Sequence, residues 1–328
     1  MLCPFCLDDV KFKQEKLDRQ LATVYLCPTC GEQAPALYAQ DYRGYPPVVV
    51  SAVGFRQHGK TVYFATLFYT LKRLTLARDW SRFFTMGLND DSLDTVYDNA
   101  RLLDQGALPD STPKNFPRPT MLRVEGMPMH RDCTLLCFDT GGECFEKPTQ
   151  LVQFAGFVSR AQTGMLLISL ADMAIPREEM QKLLNTYIVG MGELGGRPRQ
   201  QHLVVVFTKA DHLAARFTGQ WQYLLDYLLQ GTVSSLTNPE RYMKRMREVS
   251  SRLRDFTEQE LGAYEFLNAA DSHFKSVEFS IISALGAQPD GAQMAVNIVP
   301  RRILDPLLWV MEKSLSSSEQ FWRRLFGN

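Results

Sequence analysis

Residues 48–61 constrain the fold of this chain more than any other segment. Residues 48–53 are almost all apolar or β-branched, which is typical of a buried parallel strand. They lead directly into Gly54-Phe-Arg-Gln-His-Gly-Lys-Thr61, which matches the phosphate-binding pattern G-x-x-x-x-G-K-[S/T] at every fixed position. Residues 62–80 then place apolar side chains at helical spacing. This order of strand, loop and helix predicts an α/β fold with a phosphate site; the alternative is a glycine turn that precedes a core helix by chance.

The loop itself supplies several candidate ligands for a nucleotide. Its backbone N–H groups would surround phosphates at a helix N-terminus, Lys60 would reach the terminal phosphates, and Thr61 would offer its hydroxyl to Mg²⁺. Large side chains occupy the middle of the loop, and Arg56 either stabilises phosphate charge in cis or lies in solvent at the rim. The residues predicted to bind nucleotide here are Gly54, Arg56, Gln57, His58, Gly59, Lys60 and Thr61.

A second apolar strand, residues 133–138, ends in Asp139-Thr-Gly-Gly-Glu143. A protein with a phosphate loop needs a carboxylate for Mg²⁺ at the end of a buried strand, so Asp139 is predicted to hold a metal-bound water. Gly142 can donate its backbone N–H to a terminal phosphate. A simple turn at the end of the strand is the alternative. Residues 119–125 alternate in polarity and are predicted to pair antiparallel with this strand.

A third apolar strand, residues 202–207, precedes Thr208-Lys-Ala-Asp211. A carboxylate at this place can accept hydrogen bonds from guanine N1–H and N2–H₂ together, whereas adenine lacks that pair of donors. Lys209 would lay its aliphatic stem over the purine. If Asp211 does no more than end the strand, the chain is instead an ATPase of similar fold.

The last predicted contact to the base is Ser283-Ala284-Leu285. These residues follow an apolar strand over residues 277–282. The backbone amide near Ala284 would contact guanine O6. A tripeptide on its own means little, so this prediction depends on its position after the other motifs.

Taken as a set, these segments resemble the P-loop GTPase superfamily, in particular its translation-factor and Ras-like class, over residues 46–286. The resemblance implies an α/β P-loop GTPase fold with a mostly parallel six-stranded sheet flanked by helices. It implies binding of GTP or GDP with Mg²⁺, hydrolysis of GTP to GDP and phosphate, and a role as a molecular switch. It also implies a threonine that senses the γ-phosphate and Mg²⁺, and Thr112 is favoured over Thr120 because Thr120 should already lie in a strand.

Two positions depart from the pattern of that superfamily. Glu143 stands where a glutamine often orients the attacking water, and it predicts slow hydrolysis or dependence on a partner. Thr208 stands where asparagine is usual. The resulting catalytic candidates are Lys60, Thr112, Asp139, Gly142 and Glu143. The alternative function is a nucleotide-gated scaffold or adaptor with little intrinsic hydrolysis.

The N-terminal segment carries two close cysteine pairs, Cys3-Pro-Phe-Cys6 and Cys27-Pro-Thr-Cys30. This spacing predicts a zinc ribbon in which four thiolates close a structural Zn²⁺ site. Redox dithiols or buried thiols are the alternative. With this ribbon, the chain looks most like the double-GTPase or GTPase-associated proteins of bacterial conflict systems.

These motifs divide the chain into three predicted parts. The zinc ribbon covers residues 1–44 and the GTPase domain residues 45–300, with a helical insertion at about 212–276. An amphipathic helix and tail cover residues 301–328. Residues 239–261 place six basic side chains beside an apolar stripe, which indicates either a solvated face or a docking surface.

Charge and hydropathy limit the partners of the chain. The 36 Lys and Arg residues balance the 36 Asp and Glu residues, so bulk electrostatic binding to nucleic acid is not indicated. No apolar run approaches the roughly 20 residues of a membrane span, and no signal peptide is visible, so we expect a cytoplasmic protein. We also expect a protein partner that binds the zinc ribbon, the switch loops or the C-terminal tail.

Overall fold

The computed structural model describes residues 1–16, 23–73, 76–80, 82–112, 116–230, 238–289, 291, 294 and 297–314. The predicted tail over residues 315–328 lies outside this part of the chain. The N-terminal head contains a small antiparallel sheet and one short helix. Its elements are β1 (Lys13–Lys16), β2 (Thr23–Leu26), β3 (Gln33–Ala34) and α1 (Ala36–Gln40).

The described residues after the head form a seven-stranded sheet in the order β10-β9-β8-β4-β7-β6-β5. Its strands are β4 (Pro47–Val53), β5 (Phe84–Gly87), β6 (Thr120–Glu125), β7 (Cys133–Phe138), β8 (Thr163–Ile168), β9 (His202–Phe207) and β10 (Ser276–Ile281). All neighbours from β10 to β7 pair parallel, while β6 pairs antiparallel with β7 and β5 antiparallel with β6. The mostly parallel sheet and the antiparallel β6–β7 pair are as predicted. The number of strands is not, because the four-residue β5 adds an edge strand that the predicted six-stranded sheet lacked.

Helices cover both faces of this sheet. They are α2 (Lys60–Arg73), α3 (Leu76–Asp79), α4 (Asp90–Asp104), α5 (Pro148–Phe154), α6 (Pro176–Glu193), α7 (Gln222–Leu229), α8 (Pro239–Gln259), α9 (Tyr264–His273) and α10 (Leu304–Lys313). The helix predicted from residue 62 begins at Lys60, immediately after the phosphate loop, and α2 ends at Arg73. The parallel strands are buried on both sides: Val49 and Val53 of β4 face one core cluster, whereas Val50 and Ala52 face the other.

Helix α10 is more central than an amphipathic surface helix. All residues from Leu304 to Met311 are buried. The only acid in this stretch, Asp305, accepts a hydrogen bond from the Tyr227 hydroxyl at 2.6 Å and another from the Tyr242 hydroxyl. Tyr227 belongs to α7 and Tyr242 to α8, so both helices contact α10, and residues 304–311 are buried all round, as a helix in a core must be.

Three arginines of the sheet domain join it to the N-terminal head. Ion pairs link Arg118 to Glu32, Arg123 to Asp41 and Arg160 to Asp8, with N–O distances of 2.8, 2.7 and 2.9 Å. Arg123 is the buried member of the set and also stacks on the Tyr45 ring at 3.9 Å. Exposed ion pairs contribute little to stability, so the buried Arg123 contact is the main polar attachment of the head. Within the described part of the chain, the helices all fall short of the length and apolarity that a membrane span requires.

Candidate functional site

A cavity of about 680 Å³ opens at the C-terminal ends of the parallel strands. This is where open α/β sheets place their ligands, and the volume suits a small-molecule site. The cavity brings together residues from each segment that the sequence predicted to bind nucleotide. The predicted residues that line it are Arg56, Gln57, Gly59, Lys60, Thr61, Thr112, Gly142, Glu143, Thr208, Lys209, Asp211, Ala284 and Leu285.

The phosphate loop is a tight turn between β4 and α2. Gly59 has a φ of +81°, a backbone conformation that glycine adopts at little cost. Lys60 is only 5% exposed, and its Nζ donates to the carbonyls of Gly54 and Phe55 at 2.8 and 2.9 Å. Burial lowers the pKa of Lys60 to about 8, although the carboxylates of Asp139 and Glu143 oppose that change. The loop therefore holds a buried amine at the N-terminus of α2, a position that suits a multiply charged anion.

His58 differs from its neighbours because its side chain points away from the cavity. The ring is buried, and Nδ1 lies 3.0 Å from the carbonyl oxygen of Leu167 in β8. Burial lowers the pKa of His58 to about 4, so the neutral ring donates an Nδ1–H hydrogen bond to that carbonyl. The imidazole supports the loop from beneath, and only the main chain of His58 belongs to the candidate site.

Three oxygen donors meet at the phosphate end of the cavity. The Thr61 and Thr112 hydroxyls lie 2.7 Å apart, and the Thr112 hydroxyl donates to Asp139 Oδ2 at 2.5 Å. Asp139 Oδ1 is buried and has no hydrogen-bond partner among the described residues. Burial raises the pKa of Asp139, opposed by the two hydroxyls and by Lys60. A buried carboxylate oxygen without a partner, beside two hydroxyls, fits a hard divalent cation such as Mg²⁺. Thr120 is the first residue of β6, so Thr112 is the threonine that reaches this group.

The segment after Asp139 packs directly against the phosphate loop. A Cβ built on Gly142 would lie 2.3 Å from the backbone nitrogen of Arg56, so only glycine fits there. The next residue, Glu143, forms an ion pair with Arg56, with 3.2 Å between Oε1 and Nε. The side chains are 31% and 68% exposed, respectively. Arg56 therefore lines the cavity beside Glu143.

Hydrogen bonds and close polar contacts connect the side chains at the base end of the cavity. Asp211 accepts a hydrogen bond from the Ser283 hydroxyl at 2.5 Å, and His212 Nε2 lies 3.4 Å from its other oxygen. The Thr208 hydroxyl donates to the backbone carbonyl of His58 at 3.0 Å. Thr208 thus ties the base motif to the phosphate loop, and a hydroxyl is sufficient for this contact, which accounts for threonine at a position where asparagine is usual.

Asp172 is a cavity residue that the sequence analysis missed. It follows β8, accepts a hydrogen bond from the Ser169 hydroxyl at 2.5 Å, and forms an ion pair with Lys209 at 2.7 Å. Burial acts to raise the pKa of Asp172, but the contacts with Lys209 and Ser169 outweigh it and lower the pKa. An acid two residues beyond the apolar run 165–170 was the signal available in the sequence, because each neighbouring parallel strand also ends in a predicted site residue.

A family model described as Double-GTPase 2 matches residues 48–284, which is more than half of the chain. The chain belongs to the Double-GTPase 2 family. The matched residues run from the strand before the phosphate loop to Ala284 and include Asp139, Asp172 and Asp211. The α/β fold with its mostly parallel sheet is therefore that of a GTPase domain.

Solved structures resemble this Double-GTPase 2 protein weakly. The GTPase-like domain of S. cerevisiae Ski7 bound to GTP is 14% identical with a TM-score of 0.34, and the match covers 85% of this chain and 53% of that one. Sup35 complexed with GDP is 12% identical with a TM-score of 0.32, covering 79% and 42%. The SsGBP and GDP complex is 14% identical with a TM-score of 0.29, covering 73% and 45%. The chain thus spans about half of the length of these structures or less, and no curated protein matches it significantly.

The cysteine head of this Double-GTPase 2 protein precedes the matched residues. The four Sγ atoms of Cys3, Cys6, Cys27 and Cys30 lie within 4.8 Å of one another, with 3.8 Å between Cys3 and Cys30 and 3.7 Å between Cys6 and Cys27. Tetrahedral Zn–S bonds of about 2.3 Å separate sulfur atoms by about 3.8 Å, whereas a disulfide brings them to about 2.05 Å. Burial raises the pKa of Cys3 and of Cys6, whereas hydrogen bonds from backbone amides, with that of Cys30 the strongest, outweigh burial at Cys27 and lower its pKa to about 7. The spacing of the four sulfur atoms is thus the observation that carries the assignment. The cluster therefore fits Zn²⁺.

Proposed function

We propose that this chain binds GTP with Mg²⁺, hydrolyses it to GDP and phosphate, and works as a nucleotide-dependent molecular switch. Membership of the Double-GTPase 2 family supports this proposal. So does the cavity, in which a phosphate loop, a set of oxygen donors suited to Mg²⁺ and a carboxylate for the base meet. Each group has a separate task in the proposed reaction.

At the phosphate end, the backbone amides of the loop and the buried Lys60 bind the phosphate oxygens. Thr61, Thr112 and Asp139 would hold Mg²⁺, which supplies positive charge against the phosphates when it is bound. The Gly142 backbone N–H would bind the γ-phosphate, and the Glu143 carboxylate would orient a water molecule. Attack of that water on the γ-phosphorus breaks its bond to the β–γ bridging oxygen and releases phosphate and GDP.

Thr112 carries the proposed switch. Its hydroxyl contacts both Thr61 and Asp139. Loss of the terminal phosphate would weaken the cation site that these three residues share, and the segment around residues 105–112 would then be released. A partner that binds this segment would distinguish the GTP-bound from the GDP-bound state.

At the base end, Asp211 selects guanine. Its carboxylate can accept from the two adjacent donors of guanine, while adenine would leave this carboxylate without those partners. Ser283 fixes the carboxylate through a 2.5 Å hydrogen bond, so its orientation is set before the base arrives. The observation that carries the proposal is that Asp211 lines the same cavity as Lys60 and Thr61, although these residues are far apart in the sequence.

The proposal can be tested by titration with a fluorescent GDP and by competition with unlabelled nucleotides. We expect GTP and GDP to compete well and ATP to compete at least about 100-fold more weakly. Lys60→Ala should lose at least about 100-fold in affinity and serve as the blank in a GTP hydrolysis time course. Efficient competition by ATP would contradict the assignment of guanine, and the absence of phosphate release above the Lys60→Ala blank would contradict hydrolysis.

Lys72→Ala is a matched control for Lys60→Ala. Lys72 is a half-buried lysine of α2 that, like Lys60, donates to a backbone carbonyl, that of Thr85 at 2.6 Å, but it lies outside the cavity. Its removal should leave nucleotide affinity unchanged. Zinc should be quantified on the same preparation, because about one Zn²⁺ per chain is expected from the four cysteines.

The ion pair between Arg56 and Glu143 favours a second candidate function, a nucleotide-gated scaffold with little intrinsic hydrolysis. A carboxylate held by a guanidinium is less available to orient water than a neutral amide. Under this alternative the chain would bind GTP and GDP but release phosphate slowly without a partner. Single-turnover hydrolysis faster than about 1 per second by the isolated chain would exclude it.

A further inference from the structure

The two unusual charged residues of the phosphate end are in contact with each other. Arg56 is a large basic residue in the middle of the phosphate loop, and Glu143 replaces the neutral glutamine of related patterns. They are 87 positions apart in the chain, yet Arg56 Nε and Glu143 Oε1 lie 3.2 Å apart. The two departures from the pattern therefore form one charge-balanced pair.

Glu143 alone would be unfavourable beside a triphosphate. Two negative charges a few ångströms apart repel each other at a protein surface, where water screens them only in part. A glutamine at the same place would carry no such cost. A positive charge on the side of Glu143 nearest the phosphate loop removes most of this repulsion.

The backbone fixes where the pair forms. Gly142 packs so closely on Arg56 that a Cβ would lie 2.3 Å from the Arg56 backbone nitrogen. Glu143 is the next residue and the second residue of a short 3-10 helix, Gly142–Phe145. The Cα atoms of the pair are thus held by main-chain contact, and the pair does not depend on two long side chains that meet by chance in solvent.

We propose that Arg56 is a positioning residue that acts through Glu143. It balances the charge of the Glu143 carboxylate and keeps that carboxylate beside the phosphate loop, so that the site accepts a γ-phosphate despite the acid. This inference rests on the proposed function and assigns Arg56 a role other than direct contact with phosphate. It requires that removal of Arg56 matters only while Glu143 is present.

The test is a double-mutant cycle of wild type, Arg56→Gln, Glu143→Gln and the variant with both changes. The measured quantity is the affinity for a non-hydrolysable GTP analogue divided by the affinity for GDP, which isolates the effect of the γ-phosphate. We expect Arg56→Gln to lower this ratio by about fivefold to tenfold in the wild-type background and by less than about twofold in the Glu143→Gln background. Because no hydrolysis is needed, the cycle applies to an active switch and to a scaffold alike.

Two further variants separate positioning from a general effect on the fold. Arg56→Lys retains the positive charge and should restore the ratio to within about threefold of wild type. Arg118→Gln removes an arginine that is similarly exposed, at 63%, and similarly paired, with Glu32, but lies away from Glu143. It should leave the ratio unchanged. A merely structural role for Arg56 would lower the thermal midpoint and both affinities together, without changing their ratio.

Equal loss in both backgrounds would overturn the inference, because Arg56 would then act on the phosphate directly. No loss in either background would also overturn it. The failure of the proposed function is recognised separately: wild type would then bind neither GDP nor the analogue, and the inference would fall with it.

Discussion

The nucleotide cavity and the cysteine head belong to one chain but are held together in different ways. Strands β7, β8 and β9 are buried at every residue, so the cavity is formed at the C-terminal ends of a densely packed sheet. Strand β1 of the head is exposed at all four residues. The head instead places four sulfur atoms at the separation that one zinc ion requires.

This difference shows what each region needs in order to form. In the cavity, Thr61, Thr112 and Asp139 are already in contact through their side-chain oxygens. Thr61 follows the phosphate loop after β4 and Asp139 follows β7, so two neighbouring parallel strands bring them to one edge, and the loop before β6 adds Thr112. The head of about 40 residues has little apolar core of its own, because its buried residues, such as Leu7, Phe12 and Tyr38, join the core cluster of the sheet. We therefore expect zinc to supply the cross-link within the head. Loss of one cysteine ligand should therefore unfold the head, whereas a single substitution in the cavity should reduce nucleotide binding or hydrolysis only in part.

Cys27→Ser tests this contrast with the largest expected effect. Loss of one thiolate should reduce zinc from about one ion per chain to less than about 0.1, and the head should become sensitive to protease, because structural zinc contributes about 10 kcal/mol or more to the folding of such units. Fluorescent GDP affinity should change by less than about threefold. Zinc analysis, limited proteolysis and titration check these outcomes.

Cys137→Ala is the control for Cys27→Ser, since Cys137 is a buried thiol of β7 outside the cluster. It should keep its zinc. If Cys27→Ser abolished nucleotide binding as well, the two regions would not be independent and the contrast would be wrong.

Acid should lower the free energy of unfolding through protonation of His58, which packs beneath the phosphate loop. Its pKa of about 4 in the folded chain lies below the ordinary 6.5, so the unfolded chain binds the proton first and stability falls as the pH drops from about 6.5 to 4. The full contribution is about 3 kcal/mol. His58→Gln should remove this part of the acid dependence of the free energy of unfolding, measured by denaturant titration at several pH values.

His202→Gln is the matched variant for the acid test. Burial also lowers the pKa of His202 to about 4, but His202 lies in β9 at the opposite end of the sheet from the cavity. Both variants should reduce the dependence of the free energy of unfolding on pH, and only His58→Gln should also weaken GDP binding. An unchanged slope in His58→Gln would show that the ring is not held neutral beneath the loop.

Gly142→Ala should affect the phosphate end by steric means. The new Cβ would lie 2.3 Å from the backbone of Arg56, so the segment after Asp139 must move, at a cost of about 1 to 3 kcal/mol. We expect GTP hydrolysis to fall at least about tenfold, measured by single turnover. Gly192→Ala in α6 meets no atom within 4 Å and should leave the rate unchanged. Equal rates in the two variants would show that this close contact is not needed.

Asp172→Asn should have the smallest effect of these variants on nucleotide affinity, and it separates general affinity from base selection at the base end of the cavity. Lys209 would lose its partner, and affinity for GDP and GTP should fall together by about fivefold, because partly exposed ion pairs contribute about 1 kcal/mol or less. Preference for GTP over ATP should not change, since Asp211 is intact. Asp271→Asn removes a comparable pair with Arg254 away from the cavity and is the control. A change in base preference would mean that Asp172 reads the base.

The parts of the site that sequence could predict are those in which spacing determines geometry. The phosphate loop, Asp139 and Asp211 each follow a buried apolar run, and the ends of parallel strands meet at one edge. The side-chain direction of His58 could not be predicted, because it depends on a carbonyl of β8 that is distant in sequence. Asp172 was missed since its strand was not recognised, and β5 because four residues carry too little pattern.

The C-terminal helix shows the same limit in the core. Periodicity over residues 301–313 predicts one apolar face, but the structure buries α10 all round. Which side of a helix meets solvent depends on the elements that cover it, and α7 and α8 contribute that cover from distant parts of the sequence. Packing between elements that are distant in sequence cannot be read from the residues of the helix alone.

One hydrogen bond, from the Thr208 hydroxyl to the His58 carbonyl, has a consequence for how a bound nucleotide would depart. This bond joins the turn proposed to hold the purine to the turn proposed to hold the phosphates, so opening of one turn should favour opening of the other. A factor that loosens either turn should therefore hasten the release of the whole nucleotide.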